Sequence, residues 1–447
     1  MKKIIYLAIL LHFGIVQSQN KGFTYTPGNM DSLQTYVSNV TNNKIKTFDA
    51  ANQKKAKEVL LERKESFLQS VKDSTFIFDK KIDKYLQTLL SQIYQSNSQI
   101  DHSGFYFFIN KSLIPNAACY GNGIFTVNLG LLNLSESDDE IAAVICHELS
   151  HYLLKHNDKA LKAYLETFNS KETKQKINTA ANMKYGRRAA VAAIMKDLKF
   201  NFMDHSRKHE MQADSLGYVL FNKTKYNKQA YVDILKKLDF SDGMIFSSPT
   251  NLKQTFTFNE YPFKENWLLQ DDKLFDTKEI VNDFELNKDS LKTHPDIPLR
   301  VETILKNNKL TNTKSTTEEL LLIKKRISEN SIEIYLDASK LDIALYQLLS
   351  LHEKGQIEES SFNDAVILLL RKVYLFKETH VFGKYISQVN PFSEEKYLNE
   401  IRLFLNNIEL KNIRKIGYYY CIKNETAFNN KAVFQDNFTF FKNLNQN

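Results

Sequence analysis

Residues 137–158 read SDDEIAAVICHELSHYLLKHND, and this segment has the pattern of a buried helix with a defined start. Ser137 followed three residues later by Glu140 is typical of a capping box, and the acidic residues of the first turn suit the positive end of the helix dipole. Apolar residues then cover most of the circumference as far as Asn157 and Asp158. The sequence therefore predicts a helix that begins here and runs through the interior of a domain.

The same helix carries an H-E-x-x-H motif at residues 147–151. Residues four apart lie one above the other, so His147 and His151 can point at one metal ion with Glu148 beside them. Zinc in catalytic sites takes three protein ligands and a water, whose proton a neighbouring carboxylate can remove. The motif is short enough to arise by chance on a surface helix. That alternative fits poorly with so apolar a segment, because buried ionisable groups are costly unless they are paired or bind a metal.

A third ligand is predicted in residues 206–217, SRKHEMQADSLG. Glu210, Asp214 and Gly217 recur at i, i+4 and i+7 and share one helix face, with Ala213 beside them. The small residues allow a close approach to the first helix. Glu210 can then complete the metal site, while Asp214 can accept the N–H of a ligand imidazole and fix its tautomer. Without the H-E-x-x-H motif, simple solvation of a charged helix would explain these acids better.

These motifs resemble those of the gluzincin zinc endopeptidases of the HtpX and BepA type, which are related to the CAAX prenyl endopeptidases. The resemblance covers roughly residues 80–305. It rests on four ordered segments: the N-A and G-L-L signatures within residues 115–132, the zinc motif, the S-R-x-x-E-x-x-A-D segment at 206–214, and an H-P-x-x-x-x-R element at 294–300. The chain departs from the family pattern at Cys119, Cys146, Ser150 and the turn at Tyr226. None of these departures removes a ligand or the base.

The resemblance implies one zinc ion per chain, held by His147, His151 and Glu210, with water in the fourth position. It also implies that Glu148 is the general base and passes the proton to the leaving amine. Two further residues come from the H-P element. His294 would cap the open zinc position or stabilise the oxyanion, and Arg300 would stabilise the oxyanion or anchor the loop. An ordinary turn with a proline after the histidine is the alternative.

Other parts of the predicted domain have less specific interpretations. The strand from Gly123 through Ile124 and Phe125 to Val127 resembles the edge strand that binds substrate by β-augmentation, although it equally fits plain sheet structure. His156, His205 and His209 are predicted to lie on helix surfaces. Thr255–Trp267 is either a lid near the cleft or a packed insertion.

The N-terminus predicts export. Residues 1–18 combine a basic start, an apolar core from Ile4 to Val16 and a plausible cleavage site, as in a signal peptide. No later segment is long enough to span a bilayer, including the apolar run Ala189–Met195. We therefore expect no transmembrane helix in the mature chain and a soluble periplasmic protein, with secretion as the alternative.

Charge and cysteine content exclude other classes. The 447 residues carry a formal net charge of +8, which becomes +6 without the two lysines of residues 1–18, and no basic tract favours nucleic acid as a partner. Three cysteines cannot form a disulfide framework. A bond between Cys119 and Cys146 is conceivable, and free buried thiols are at least as good an interpretation.

The predicted fold is α+β and mostly helical, with a gluzincin-type core that contains a small edge sheet. Four parts follow in order: a signal peptide at 1–18, an N-terminal helical segment at 19–75, a zinc metallopeptidase domain at 76–305, and a C-terminal helical domain at 306–447. A helix over Lys80–Tyr94 and a strand over Phe105–Ile109 open the peptidase domain. The C-terminal helices allow a degenerate tetratricopeptide-like module, but without a clear period simple helical hairpins are favoured.

Two functions remain open. The first is a zinc-dependent metalloendopeptidase that cleaves envelope or misfolded proteins, with water activated by Glu148. The second is a chaperone-like protein that binds a partner through its C-terminal helices while a latent zinc site is capped by His294. The intact Glu148 favours the first.

Overall fold

The computed structural model describes residues 22–183, 187–239, 246–269, 297–305, 316–389 and 395–446. The predicted signal peptide and His294 lie outside these residues, and the side chain of His205 is likewise not described. Within them the fold is mostly helical with one small sheet, which confirms the predicted α+β class.

Two long helices open the described chain and confirm the helical interpretation of the N-terminal segment. They are α1 (Met30–Lys46) and α2 (Ala50–Lys72), with α3 (Lys80–Ser96) following the short strand β1 (Phe76–Ile77). Each helix begins at a side chain that accepts a backbone N–H, namely Asn29, Asp49 and Asp79. The apolar faces of α1 and α2 pack on one face of the sheet, through Leu33, Val37, Phe67 and Val71 against Phe76, Phe108 and Ile124.

The sheet has four strands in the order β1-β2-β4-β3, where β2 is Tyr106–Asn110, β3 is Ala117–Cys119 and β4 is Ile124–Asn128. β2 and β4 are parallel, and the other two pairs are antiparallel. The predicted strands near Phe105–Ile109 and Gly123–Val127 are both present, each displaced by one residue. The short strand Ala117–Cys119 forms one edge of the sheet.

The prediction that Gly123, Ile124 and Phe125 form a substrate-binding edge is wrong. Phe125 lies opposite Phe107 of β2 on one side and Cys119 of β3 on the other, so the backbone of β4 is paired on both sides. Ile124 is only 2% exposed and Phe125 is fully buried. The reason is that Ala117–Cys119 folds back and pairs with β4. The family resemblance implied a strand pair in this segment, and the structure shows that its first strand, not its second, is the edge.

The zinc-motif helix α5 (Asp138–Leu153) follows α4 (Leu129–Leu134) and starts where the capping pattern predicts. Ser137 accepts the N–H of Glu140, whose carboxylate accepts the N–H of Glu136. The helix ends earlier than predicted. Lys155 has a φ of 55°, in the left-handed region, and a second helix, α6 (His156–Asn169), begins directly after it.

Helix α5 lies in the centre of the first hydrophobic core. Around it are α3, α6, β3, the long α8 (Arg187–Asn222) and α9 (Gln229–Asp239). Farther out are α7 (Lys171–Ala181), which packs on α8, and, from later in the chain, α11 (Ile297–Leu305), which packs on α8 and α9, and α12 (Glu318–Asp337), which packs on α3 and α4. Its residues Ile141, Ala142, Ile145 and Leu149 are at most 1% exposed. A helix apolar on nearly every side is thereby covered on nearly every side, as its sequence required.

The second core is formed by the C-terminal helices, α13 (Leu341–Glu353), α14 (Glu359–Glu378), α15 (Phe382–Tyr385), α16 (Lys396–Asn407), α17 (Leu410–Lys423) and α18 (Lys431–Gln446). The aromatic segment predicted as a lid or an insertion belongs to this core. It includes the short α10 (Leu252–Thr255), and Phe256, Phe258 and Trp267 are buried against the C-terminal helices. The segment is therefore a packed insertion.

Each of the two hydrophobic cores contains residues from both sides of the domain boundary predicted at residue 305. Residues 246–267 lie before that boundary and pack in the second core, whereas α12 lies after it and packs in the first through Leu320, Ile323 and Ile327. The predicted domain limits stay a prediction.

Cys119, Cys146 and Cys421 are free thiols. No helix in the described ranges combines the length and apolar character that crossing a bilayer requires.

Gly217 brings α8 close to α5. A Cβ at this position would lie 2.5 Å from the Tyr231 hydroxyl, 3.0 Å from the Cα of His147 and 3.2 Å from its backbone nitrogen. The Tyr231 hydroxyl can move, but the His147 backbone belongs to a buried helix. Any side chain at this position would therefore force the two helices slightly apart.

We expect Gly217→Ala to lower the free energy of unfolding by about 1–3 kcal/mol, because an extra methyl group overpacks the contact between the helices. Urea unfolding of the metal-free protein measures this loss. Gly383→Ala is the matched control, since Gly383 lies in the short helix α15 with open space around it. Equal unfolding midpoints for the two variants would contradict the packing role of Gly217.

Candidate metal centre

Two helices bring three potential metal ligands together. His147 and His151 lie one turn apart on α5, and their Nε2 atoms are 3.0 Å apart. Glu210 of α8 faces both rings, with Oε2 3.4 Å from His147 Nε2 and Oε1 3.3 Å from His151 Nε2. The structure thus places the three predicted ligands at one point.

The spacing of these atoms fits a tetrahedral ion. Zinc bonds to nitrogen and carboxylate oxygen of about 2.0–2.2 Å place neighbouring ligand atoms about 3.3–3.6 Å apart. The two distances from the histidines to Glu210, one to each carboxylate oxygen, lie in that range, and the distance between the two Nε2 atoms is slightly shorter. Two histidines with one glutamate are a ligand set of catalytic zinc sites. Three convergent donors of these types suit a divalent metal.

Asp214 holds the first histidine. Its Oδ1 lies 3.0 Å from Nδ1 of His147, on the side of the ring away from Nε2. Nδ1 thus lies at ion-pair distance from a carboxylate that favours a proton on this nitrogen, and a proton on Nδ1 leaves the lone pair on Nε2 facing the ligand cluster. Asp214 therefore occupies the predicted orienting position.

Arg300 of α11 binds Asp214 with two hydrogen bonds. Its Nε donates to Oδ2 at 2.5 Å and its Nη2 donates to Oδ1 at 2.8 Å. Nη2 also lies 3.6 Å from Oε2 of Glu210. Because Arg300 is 5% exposed and its guanidinium is directed at Asp214, the geometry favours the predicted anchoring role. A direct role of Arg300 at the oxyanion stays a prediction.

Charge pairing sets the protonation of this network. Burial alone would raise the pKa of Asp214, but hydrogen bonds from Arg300 and His147 outweigh it and hold the pKa below its usual value. Burial would likewise lower the pKa of His147, whereas its contacts with Asp214 and Glu210 raise the pKa to about 10. The carboxylates of Asp214 and Glu210 therefore favour positive charge at His147.

The surface position predicted for His156 is wrong. His156 is 3% exposed, its Nδ1 lies 3.0 Å from Nδ1 of His151, and its Nε2 lies 3.1 Å from Oε1 of Gln212. Its ring stacks on that of half-exposed His209, with centroids 4.2 Å apart. Burial, with the neighbouring His151 and His209, lowers the pKa of His156 to about 4.

The break in the helix explains that error. A continuous helix would carry His156 away from His151, but the left-handed Lys155 reverses the chain and turns His156 back toward it. Glycine or asparagine usually marks such a residue, and a lysine gives no warning. The sequence therefore gives no indication that His156 contacts His151.

Glu148 lies on α5 next to the two histidines and is half-exposed. Helix α5 packs against the edge strand β3. Burial, and to a lesser extent the Glu148 carboxylate, raise the pKa of the Cys119 thiol to about 12. His294, predicted above the metal, lies outside the described residues, so its role stays a prediction.

Comparison with known proteins agrees with this arrangement. A profile of peptidase family M48 matches residues 80–308. A beta-barrel assembly-enhancing protease from Yersinia pestis is 20% identical over 189 residues, which cover 39% of this chain and 36% of that protein. The chain thus matches little more than a third of the length of this curated relative.

We expect Arg300→Met to lower the free energy of unfolding by about 3–5 kcal/mol, because it leaves the buried Asp214 carboxylate without its cation. Urea unfolding of the metal-free protein measures the loss. Adding Asp214→Asn to this variant should restore part of the stability, since the buried charge is then gone. Lys253→Met, which breaks the exposed pair with Glu265, is the control and should change little. Equal losses in the two single variants would contradict the buried pairing.

Proposed function

The chain belongs to peptidase family M48, and on that premise we propose that it hydrolyses peptide bonds with one zinc ion held by His147, His151 and Glu210. The family match covers just over half of the chain and confirms the predicted metalloendopeptidase class. The observation that carries the proposal is the convergence of three donor atoms from α5 and α8 beside Glu148.

The chain's own residues supply the proton transfers. Bound zinc lowers the pKa of a water molecule and polarises the scissile carbonyl. Glu148 accepts a proton from the attacking water on its carboxylate and delivers it to the nitrogen of the leaving amine. Asp214 keeps the proton of His147 on Nδ1, and Arg300 keeps Asp214 ionised and fixed.

Strand β3 is the proposed substrate-binding edge, in place of the predicted β4. The bonds from Tyr120 N to Ile124 O and from Asn128 N to Asn116 O pair the flanking residues with β4. Ladder alternation then directs the backbone groups of Ala117 and Cys119 to the free side. Helix α5, which carries Glu148, packs against β3, so a peptide added to this edge would lie beside the helix that carries the base.

Asn157 limits that edge. Its Nδ2 donates to the carbonyl oxygen of Cys119 at 2.7 Å, on the side where a substrate strand would bind. Ala117 is thereby left as the residue that can offer both N–H and C=O to a peptide. Pairing with substrate would therefore be short and centred on Ala117.

Export by residues 1–18 and a periplasmic location are part of the proposal. Polypeptides of the envelope, misfolded ones included, are the proposed substrates, and the relative named as a beta-barrel assembly-enhancing protease supports this direction. The C-terminal helices are the proposed surface for a protein partner. His294 is proposed to cap the open metal position or to stabilise the oxyanion.

We expect the purified mature protein to bind about one zinc ion and to cleave casein. His147→Ala and Glu210→Ala should lose the metal, because each removes one of three ligands. Glu148→Gln should retain the metal and lose cleavage, because it keeps the shape of the side chain without the base. Metal analysis and a casein assay measure these outcomes. Equal cleavage of casein by Glu148→Gln and the wild type would contradict the proposed zinc-dependent hydrolysis. Wild-type protein that binds denatured casein without cleaving it would favour the chaperone-like alternative.

We expect Ala117→Pro to raise KM for a casein-derived peptide at least about tenfold, since proline removes the N–H that faces the free edge. Steady-state kinetics measure the change. The zinc content of the variant is the internal control and should equal that of the wild type, because Ala117 is not among the ligands. An unchanged KM would remove β3 from substrate binding.

A further inference from the structure

The two ligand histidines have different partners at Nδ1. His147 has the carboxylate of Asp214, whereas His151 has Nδ1 of His156 at 3.0 Å. We propose that His156 and Gln212 are positioning residues that hold His151 in the tautomer whose Nε2 lone pair faces the metal. This inference rests on the proposed zinc site and concerns residues that neither the zinc motif nor the third-ligand segment assigned.

The contacts from His151 through His156 to Gln212 fix which ring nitrogens carry protons, beginning at Gln212. The amide oxygen of Gln212 can only accept, so the proton of His156 lies on Nε2, 3.1 Å from it. A neutral His156 with a proton on Nε2 has a lone pair on Nδ1, which then accepts from Nδ1–H of His151. His151 in turn has no proton on Nε2, the atom that faces Glu210 and His147.

The packing around His156 keeps this chain of contacts in place. His156 is 3% exposed, and its ring is nearly parallel to that of His209, with an interplanar angle of 11°. It is also the first residue of α6, directly after the left-handed Lys155, so its backbone is fixed by the start of a helix. A ring stacked on one face and contacted at both nitrogens has little freedom to turn.

One consequence is that an exposed residue influences the metal ligand. Gln212 is exposed on α8 and lies two contacts away from Nε2 of His151. An acceptor at position 212 preserves the tautomer that binds metal. A donor there would favour a proton on Nδ1 of His156 and, through it, on Nε2 of His151, which then cannot bind a metal.

The first test compares His156→Phe with His156→Asn. Phenylalanine keeps a ring against His209 and removes both nitrogens, so zinc affinity should fall about 10–100-fold. Asparagine can place its amide oxygen near the former Nδ1 and accept from His151, so affinity should be largely restored. Competition with a chromophoric chelator measures zinc affinity. Thermal unfolding of the metal-free proteins shows whether each variant is folded.

The second test uses position 212, where substitution of an exposed side chain leaves folding intact. Gln212→Glu keeps an acceptor and should stay within about threefold of wild-type zinc affinity, whereas Gln212→Lys supplies a donor and should lose about tenfold or more. Ser215→Lys adds the same charge to an exposed position of α8 and controls for electrostatics. The affinity of Gln212→Lys should lie well below that of Ser215→Lys.

The outcomes separate this inference from the proposed function. Wild-type protein that binds no zinc overturns the zinc site itself, and the inference with it. Wild-type protein that binds zinc, with His156→Phe equally tight and Gln212→Lys equal to Ser215→Lys, overturns the inference alone. The expected pattern is weak binding by His156→Phe and Gln212→Lys together with near-normal binding by His156→Asn and Gln212→Glu.

Discussion

The close contact of α5 with α8 is the constraint on which the rest of the site depends. Gly217 lies against the backbone of His147 with no room for a Cβ. At that separation Glu210 and Asp214, on the same face of α8, come within 3.4 Å of the rings on α5. The missing side chain at Gly217 thus allows α8 to approach α5 closely enough for residues of the two helices to form one site.

That contact buries charge, and the neighbouring elements compensate for it. Asp214 is 1% exposed, and an unpaired carboxylate at such a depth would cost several kcal/mol. Arg300 arrives from α11 to pair with it, so a helix distant in sequence becomes part of the metal centre. Orientation of His147 therefore depends on a charged pair, while orientation of His151 depends on neutral groups at the turn between α5 and α6.

The substrate side of the site follows from how the sheet ends. β4 is paired with strands on both sides, and β3 presents the free edge beside α5, the helix that carries Glu148. Asn157 belongs to the helix that starts at His156, and its side chain donates a hydrogen bond to the carbonyl oxygen of Cys119. The turn at Lys155 thus positions both a partner of the metal ligand and the limit of the edge strand.

The sequence by itself determined the helices and the chemistry they carry. Periodicity, a capping serine and the spacing of His147, Glu148 and His151 depend on local geometry, which a linear pattern contains. Tertiary structure alone decided which strand is the edge, where α5 ends and what touches His156. These features depend on Ala117–Cys119 folding back on β4 and on a lysine in the left-handed region. Long-range pairing and packing select both, and neither leaves a repeat or a preferred residue type in the sequence.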